Sequence, residues 1–177
     1  MFPNLTLVLG GASSGKSNFA EKLVKSMAGR HVYLATAQAF DEEMAAKIVR
    51  HRTDRGDGWT TVETPLDAAG ALGNFGSGDV VLFDCATLWL SNHMLAESDL
   101  IAQRNALMAA LAKCKAPIVI VSNEVGQSGV PDNAMARQFR DAQGQLNQAI
   151  AAQCDLVVAV MAGLPLVLKG QLPDGLA

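Results

Sequence analysis

An α/β domain, a mostly parallel sheet with helices on both faces, is what this sequence predicts. Three observations carry the prediction. Continuous apolar runs, Val80–Phe83, Ile118–Val121 and Leu156–Met161 among them, alternate with helical segments, the pattern of strands buried on both sides of a parallel sheet. The stretch Gly10-Gly11-Ala12-Ser13-Ser14-Gly15-Lys16-Ser17 fits G-x-x-x-x-G-K-[ST], with a strand-like run before it and an amphipathic helical pattern after it. The polar residues Ser17, Thr36, Asp84 and Asn123-Glu124 all follow predicted strands, which gathers them along one edge of such a sheet, where ligands bind. The fold class is therefore P-loop NTPase-like (RecA-like), in one domain over residues 1–169, with 170–177 as a loosely ordered, Gly- and Pro-containing tail.

Leu5-Thr6-Leu7-Val8-Leu9 is the first strand, and the glycines after it let backbone N–H groups turn inward to cradle phosphate, helped by the positive end of the next helix. Lys16 then reaches the outer phosphates, and the Ser17 hydroxyl holds Mg²⁺. In that helix Ala20, Leu23, Val24 and Met27 recur at helical spacing, and Gly29 stands where a C-cap belongs. His31–Ala35 is a second strand followed by Thr36-Ala37-Gln38. Two roles are open to Thr36, a nucleotide contact or a capping or turn hydroxyl.

Residues 41–52 read as a helix, with Asp41 as N-cap, Glu42 and Glu43 in the first turn and Lys47, Arg50 and Arg52 in the last. Met44, Ile48 and His51 share a face of it. Arg50, Arg52 and Arg55 cluster around His51, which suits anionic ligand chemistry; the plainer role for a histidine there is a dipole partner or surface residue. Gly56-Asp57-Gly58 turns into the short strand Trp59–Glu63, and residues 66–72 form a brief helix. Val80–Asp84 is an apolar strand closed by a carboxylate, the pattern that supports Mg²⁺ in phosphate-loop enzymes, although an apolar run ending in Asp also arises by chance. The next helix carries Leu88, Trp89 and Met94, with His93 read as structural. Ser98 or Asp99 caps the helix after that, which faces the core with Leu100, Leu107, Met108 and Leu111. Strand 117–122, a long helix around residues 137–150, strand 156–161 and a final extended piece, 164–169, complete the domain.

Composition narrows the partners. With 14 basic and 17 acidic residues and a formal charge of −3, nothing suggests broad binding to nucleic acid or an anionic membrane. Cys85, Cys114 and Cys154 are scattered and lack C-x-x-C spacing, which argues against a disulfide framework or a zinc site and for buried thiols in a reducing cytoplasm. The longest apolar run, 156–168, contains Gly163 and Pro165 and falls short of the roughly 20 residues of a membrane span.

Several motifs in one order carry a resemblance. The phosphate loop, Tyr33-Leu34-Ala35-Thr36-Ala37-Gln38, residues 41–48 with His51, Asn123-Glu124-Val125-Gly126, Gly129-Val130-Pro131 and Arg137-Gln138-Phe139-Arg140-Asp141 through Gly144, Asn147 and Gln148 resemble the bifunctional cobinamide kinase / cobinamide-phosphate guanylyltransferases of cobalamin biosynthesis over nearly the whole chain. The resemblance implies phosphorylation of the aminopropanol hydroxyl of adenosylcobinamide with ATP or GTP, then transfer of GMP from GTP to that phosphate. It also implies a guanylylated histidine, a homotrimer and a cytoplasmic enzyme. Carried over residue by residue, Gly10, Gly11, Ala12, Ser13, Ser14, Gly15, Lys16 and Ser17 bind the nucleotide phosphates. Ala35, Thr36, Ala37, Arg52, Thr53, Asp54, Arg55, Glu63 and Asp84 complete the nucleotide contacts, Ser17 and Asp84 bind Mg²⁺, and His51 is the nucleophile. Many members place two histidines in tandem at the nucleophile; here Arg50 precedes His51 and leaves one candidate. Ser13 stands where arginine is usual, removing a positive charge from the loop, and Asp84 where glutamate is common, shortening the carboxylate's arm.

The chemistry accords with that assignment. A neutral imidazole attacks an α-phosphorus and splits one transfer into two, and neighbouring arginines disfavour the imidazolium while stabilising developing phosphate charge. Two competing readings rest on the phosphate loop: a small-molecule kinase without a covalent step, and a nucleotide-dependent switch that binds a partner protein.

Overall fold

The computed structural model describes residues 2–38, 53, 56–127 and 129–176. Each apolar run becomes a strand: β1 (Leu5–Gly10), β2 (Arg30–Ala35), β3 (Trp59–Glu63), β4 (Asp79–Asp84), β5 (Ile118–Asn123), β6 (Leu156–Met161) and β7 (Leu164–Lys169). They form one sheet in the order β3-β2-β4-β5-β1-β6-β7. The first six are parallel and β7 returns antiparallel to β6. Ala162 and Gly163, both at positive φ (52° and 77°), make the tight turn that reverses the chain there.

The five helices among the described residues are α1 (Lys16–Lys25), α2 (Ala68–Leu72), α3 (Ala86–Leu95), α4 (Leu100–Lys113) and α5 (Ala134–Gln153). Alternation along the strands sends successive side chains to opposite faces, and each face has its own core. On one, Leu7, Val81, Phe83, Ile118 and Ile120 meet Leu72 of α2, Trp89 of α3, Leu107 of α4 and Leu146 of α5. On the other, Val8, Leu82, Val119, Val121 and Val158 pack beneath Phe19, Leu23 and Val24 of α1. The segment after β7, read from sequence as a loose tail, lays Leu172 and Leu176 against this second core.

Helix starts follow the sequence signals. Asp99 caps α4 through the N–H groups of Ile101 and Ala102, both at 3.0 Å. Ser98, the other residue considered for that cap, is paired instead with His93. Asn133 caps α5 and Asp67 caps α2.

His93 is structural, as expected. Its ring lies edge-on to Trp89, with Nδ1 3.0 Å from the Ser98 hydroxyl and Nε2 3.1 Å from the Leu66 carbonyl. Burial holds its pKa below the ordinary 6.5, while the Leu66 carbonyl pulls it the other way. The unfolded chain thus takes up the proton at higher pH than the folded one. The contribution is complete above about 6.5 and is lost as pH falls toward the folded value. Melting temperature should therefore drop between pH 7.5 and 5.5, and less steeply in His93→Gln, as thermal unfolding across that range would show.

Candidate phosphate-binding site

β1 delivers the chain to the loop at Gly10. A Cβ there would meet the Ser14 hydroxyl and lie 2.7 Å from the Val160 carbonyl oxygen, so the loop can fold back over the strand end only without one. Gly15 sits at φ +91°, and a Cβ on it would stand 3.0 Å from Cα of Gly163. The loop is thus seated on the β6–β7 turn, and the Gly163 N–H donates to the Ser14 carbonyl at 2.8 Å. Nothing in the sequence reading anticipated this seat. Ala162-Gly163 between two apolar runs does signal a hairpin turn, but not which loop it touches.

Gly15 begins α1 in the left-handed conformation, with no side-chain cap and no acidic residue in the first turn. The amide donors of that turn and the helix's partial positive charge are left available to an anion. Lys16 Nζ donates to the Gly11 carbonyl at 3.1 Å, folding the ammonium back over the loop. The Ser14 hydroxyl is buried with no partner among the described residues.

Asp84 closes β4. Its Oδ2 accepts from the Tyr33 hydroxyl at 2.8 Å, a partner on the neighbouring strand that sequence spacing does not reveal. Thr36 is wholly buried. Its hydroxyl accepts from the Cys85 N–H and donates to the Cys85 carbonyl, both at 2.8 Å. Its own N–H goes to the Asp84 carbonyl at 3.2 Å, and its carbonyl receives Asn92 Nδ2 at 2.8 Å. Of the two roles open to Thr36, the geometry favours the local one: its polar groups fix the turn that follows Asp84.

Cys85 caps α3 by accepting the Leu88 N–H at its Sγ, 3.4 Å away. Burial, reinforced by the Asp84 charge, pushes this thiol up to about 12. It is therefore a neutral cap at physiological pH rather than a thiolate nucleophile.

Strand register decides which groups share an edge. Ala35 lies opposite both Glu63 and Asp84, Asp84 opposite Val121, and Gly10 opposite Asn123. Glu63, Ala35–Ala37, Asp84, Asn123 and the loop from Gly10 to Ser17 therefore converge on the C-terminal edge of the parallel strands. Glu63 is exposed there; Thr53 is exposed as well, but no strand register ties it to this edge. His51, Arg52, Asp54 and Arg55, and the helix expected over residues 41–52, lie outside the described residues. In sequence they fall between β2 and β3.

A sequence family described as cobinamide kinase / cobinamide phosphate guanyltransferase matches residues 6–168. The bifunctional adenosylcobalamin biosynthesis protein CobP of Pseudomonas aeruginosa is 43% identical over 168 residues, which cover 93% of this chain and 97% of that protein. Among solved structures, a prototypical ATPase from the type III secretion system of pathogenic bacteria aligns with a TM-score of 0.59 at 12% identity; the match covers 93% of this chain and 56% of that one. The RadB recombinase aligns with a TM-score of 0.50 at 17% identity, covering 89% and 74%. At such identities these two likenesses speak for the phosphate-loop fold alone.

Proposed function

Since the chain belongs to the cobinamide kinase / cobinamide phosphate guanyltransferase family, a family of bifunctional transferases, we propose that it acts twice on one corrinoid substrate. In the first step it phosphorylates the aminopropanol hydroxyl of adenosylcobinamide with ATP or GTP. In the second it transfers GMP from GTP to that phosphate, releasing pyrophosphate and forming adenosylcobinamide-GDP. The observation that carries the reading is the uncapped first turn of α1, wrapped by a glycine loop at the same sheet edge as a strand-end carboxylate.

In the kinase step the substrate oxygen attacks the γ-phosphorus, the bond to the bridging oxygen breaks, and the hydroxyl proton is lost. The chain's task is to position the nucleotide and offset charge: the loop amides hold the phosphates and Lys16 neutralises the outer ones. Ser17 and Asp84 offer hard oxygen donors suited to Mg²⁺. No cluster of three or more metal-ligating side chains occurs among the described residues, which fits an ion bound through one or two protein oxygens and the nucleotide's own phosphates. When bound, Mg²⁺ would neutralise phosphate charge. The Tyr33 hydroxyl on Oδ2 holds the Asp84 carboxylate in orientation for this.

In the second step an imidazole nitrogen of His51 attacks the α-phosphorus of GTP and pyrophosphate leaves. A phosphate oxygen of the corrinoid product then displaces the imidazole, so that every phosphorus–nitrogen bond formed is broken again. Arg52, Thr53, Asp54, Arg55, Glu63, Ala35 and Ala37 complete the nucleotide contacts in this reading, with Thr36 shaping the turn beside them; residues 1–169 form the catalytic domain, and the enzyme works in the cytoplasm. No helix among the described residues is long and apolar enough to cross a membrane.

The enzyme acts as a homotrimer in this proposal. The edge strand β7 leaves Leu164, Leu166 and Leu168 more than half exposed, with Met161 beside them, an apolar ladder suited to a second subunit. Leu166→Asp with Leu168→Asp should convert a trimer to monomers in light scattering; a monomeric wild type would remove this part. The whole reading is tested by incubation with GTP, Mg²⁺ and adenosylcobinamide. The phosphate should appear first and the GDP adduct second, and a phosphate that never advances would leave a kinase alone.

A further inference from the structure

β4 ends at Asp84, opposite Val121, while β5 runs on to Asn123 beside Gly10 of β1. Over Ser122 and Asn123, β5 has a strand on its β1 side only. The N–H of Glu124 donates to the Gly10 carbonyl at 3.1 Å, and successive residues of a strand turn their peptide groups to alternate sides. The N–H and carbonyl of Asn123 therefore face the side where β4 has stopped, and side chains take the missing strand's place. The N–H donates to the Thr87 hydroxyl of α3 at 2.8 Å, and the carbonyl accepts from Asn147 Nδ2 of α5 at 3.1 Å.

The Asn147 contact orders a buried web. With Nδ2 on the Asn123 carbonyl, Oδ1 turns inward and accepts from the Ser122 hydroxyl at 2.6 Å and from Gln143 Nε2 at 2.9 Å. Gln143 Nε2 also donates to Ser122 Oγ at 2.9 Å. Gln143 Oε1 is left buried with no partner among the described residues. Turning that amide over would set two acceptors, its Oε1 and Asn147 Oδ1, against each other. The unpaired oxygen is thus a cost of holding the Asn123 carbonyl in this way, and local rules broken in this manner concentrate at functional sites.

We infer that Thr87 and Asn147 are positioning residues of the phosphate loop. Both act through one peptide rather than on the nucleotide. They fix Asn123, the Glu124 N–H that follows fixes the Gly10 carbonyl, and Gly10 is the residue at which β1 gives way to the loop. The Gly163 N–H holds the loop at Ser14, and the Gly10 anchor is a second fixed point, at the loop's start. Because that anchor serves the loop as a whole, loosening it weakens nucleoside diphosphates and triphosphates alike. The inference rests on the reading of Gly10–Ser17 as the nucleotide site.

Thr87→Val, which keeps the side chain's shape and removes the acceptor, tests it. Binding of fluorescent N-methylanthraniloyl GTP and GDP, each with Mg²⁺, should weaken by about five- to tenfold for both, the scale of one buried hydrogen bond. Thr87→Ser should restore both affinities, a rescue that traces the effect to the hydroxyl. Asn147→Ala should act in the same direction, and the double variant should lose less than the two single losses combined, since both side chains hold one peptide. Hydrogen exchange should show the Glu124 amide opening faster in Thr87→Val. Affinities within about twofold of wild type in both single variants, with only the melting temperature lowered, overturn the inference, as does a loss confined to the triphosphate. A wild type that binds neither nucleotide overturns the phosphate-loop reading and this inference with it.

Discussion

Lys16→Ala is expected to lower turnover of adenosylcobinamide to its phosphate by about a hundredfold to a thousandfold, the usual scale for losing one preorganised charge at a reacting phosphate. The ammonium is the one cation in the phosphate loop, since no other residue from Gly10 to Ser17 is basic. It is also tied to the Gly11 carbonyl, so the alanine variant loses both charge and a strut of the loop. Lys16→Arg separates the two: it keeps the charge but cannot place a compact ammonium at the same point, and it should remain strongly impaired. Steady-state formation of the phosphorylated corrinoid, with thermal melting to verify folding, gives the measurement. Turnover near wild type in Lys16→Ala would refute the role given to this lysine.

His51→Ala should divide the two activities. After incubation with GTP labelled at the α-phosphate, wild type should retain label that is labile to acid and stable to alkali, the signature of a phosphorus–nitrogen bond. The variant should retain none, and GDP-adduct formation should fall to background, a loss of at least about a thousandfold for removal of a covalent nucleophile. Kinase turnover should stay within a few fold, because the γ-phosphoryl passes directly to the substrate hydroxyl. Persistent acid-labile label in His51→Ala would place the nucleophile elsewhere.

Much of the fold was legible because its signals are local. Val80–Phe83 and Ile118–Val121 are strands buried on both faces and read as unbroken apolar runs; the glycine-and-lysine loop announces itself by spacing; Asp99 is a cap with a short oxygen side chain at a helix start. The site was legible only in outline. That Thr36, Asp84 and Asn123 gather at one edge follows from the parallel topology. What each does there depends on register and on partners from other elements. The Thr36 hydroxyl is taken by Cys85, Tyr33 reaches Asp84 from the adjacent strand, and Asn123 stands opposite Gly10. None of these pairings leaves a periodicity or a motif, since each joins residues far apart in the chain through one hydrogen bond or one register.

The seating of the phosphate loop on the β6–β7 turn has a consequence for the order in which the protein is made. Residues 10–17 leave the ribosome well over a hundred residues ahead of Ala162-Gly163, yet the Gly163 N–H closes the loop through Ser14. A nascent chain carries its most recognisable motif long before that motif has a floor. Nucleotide-binding competence should arrive abruptly with the last strands, and a fragment ending before the hairpin would hold the loop's full sequence without its support.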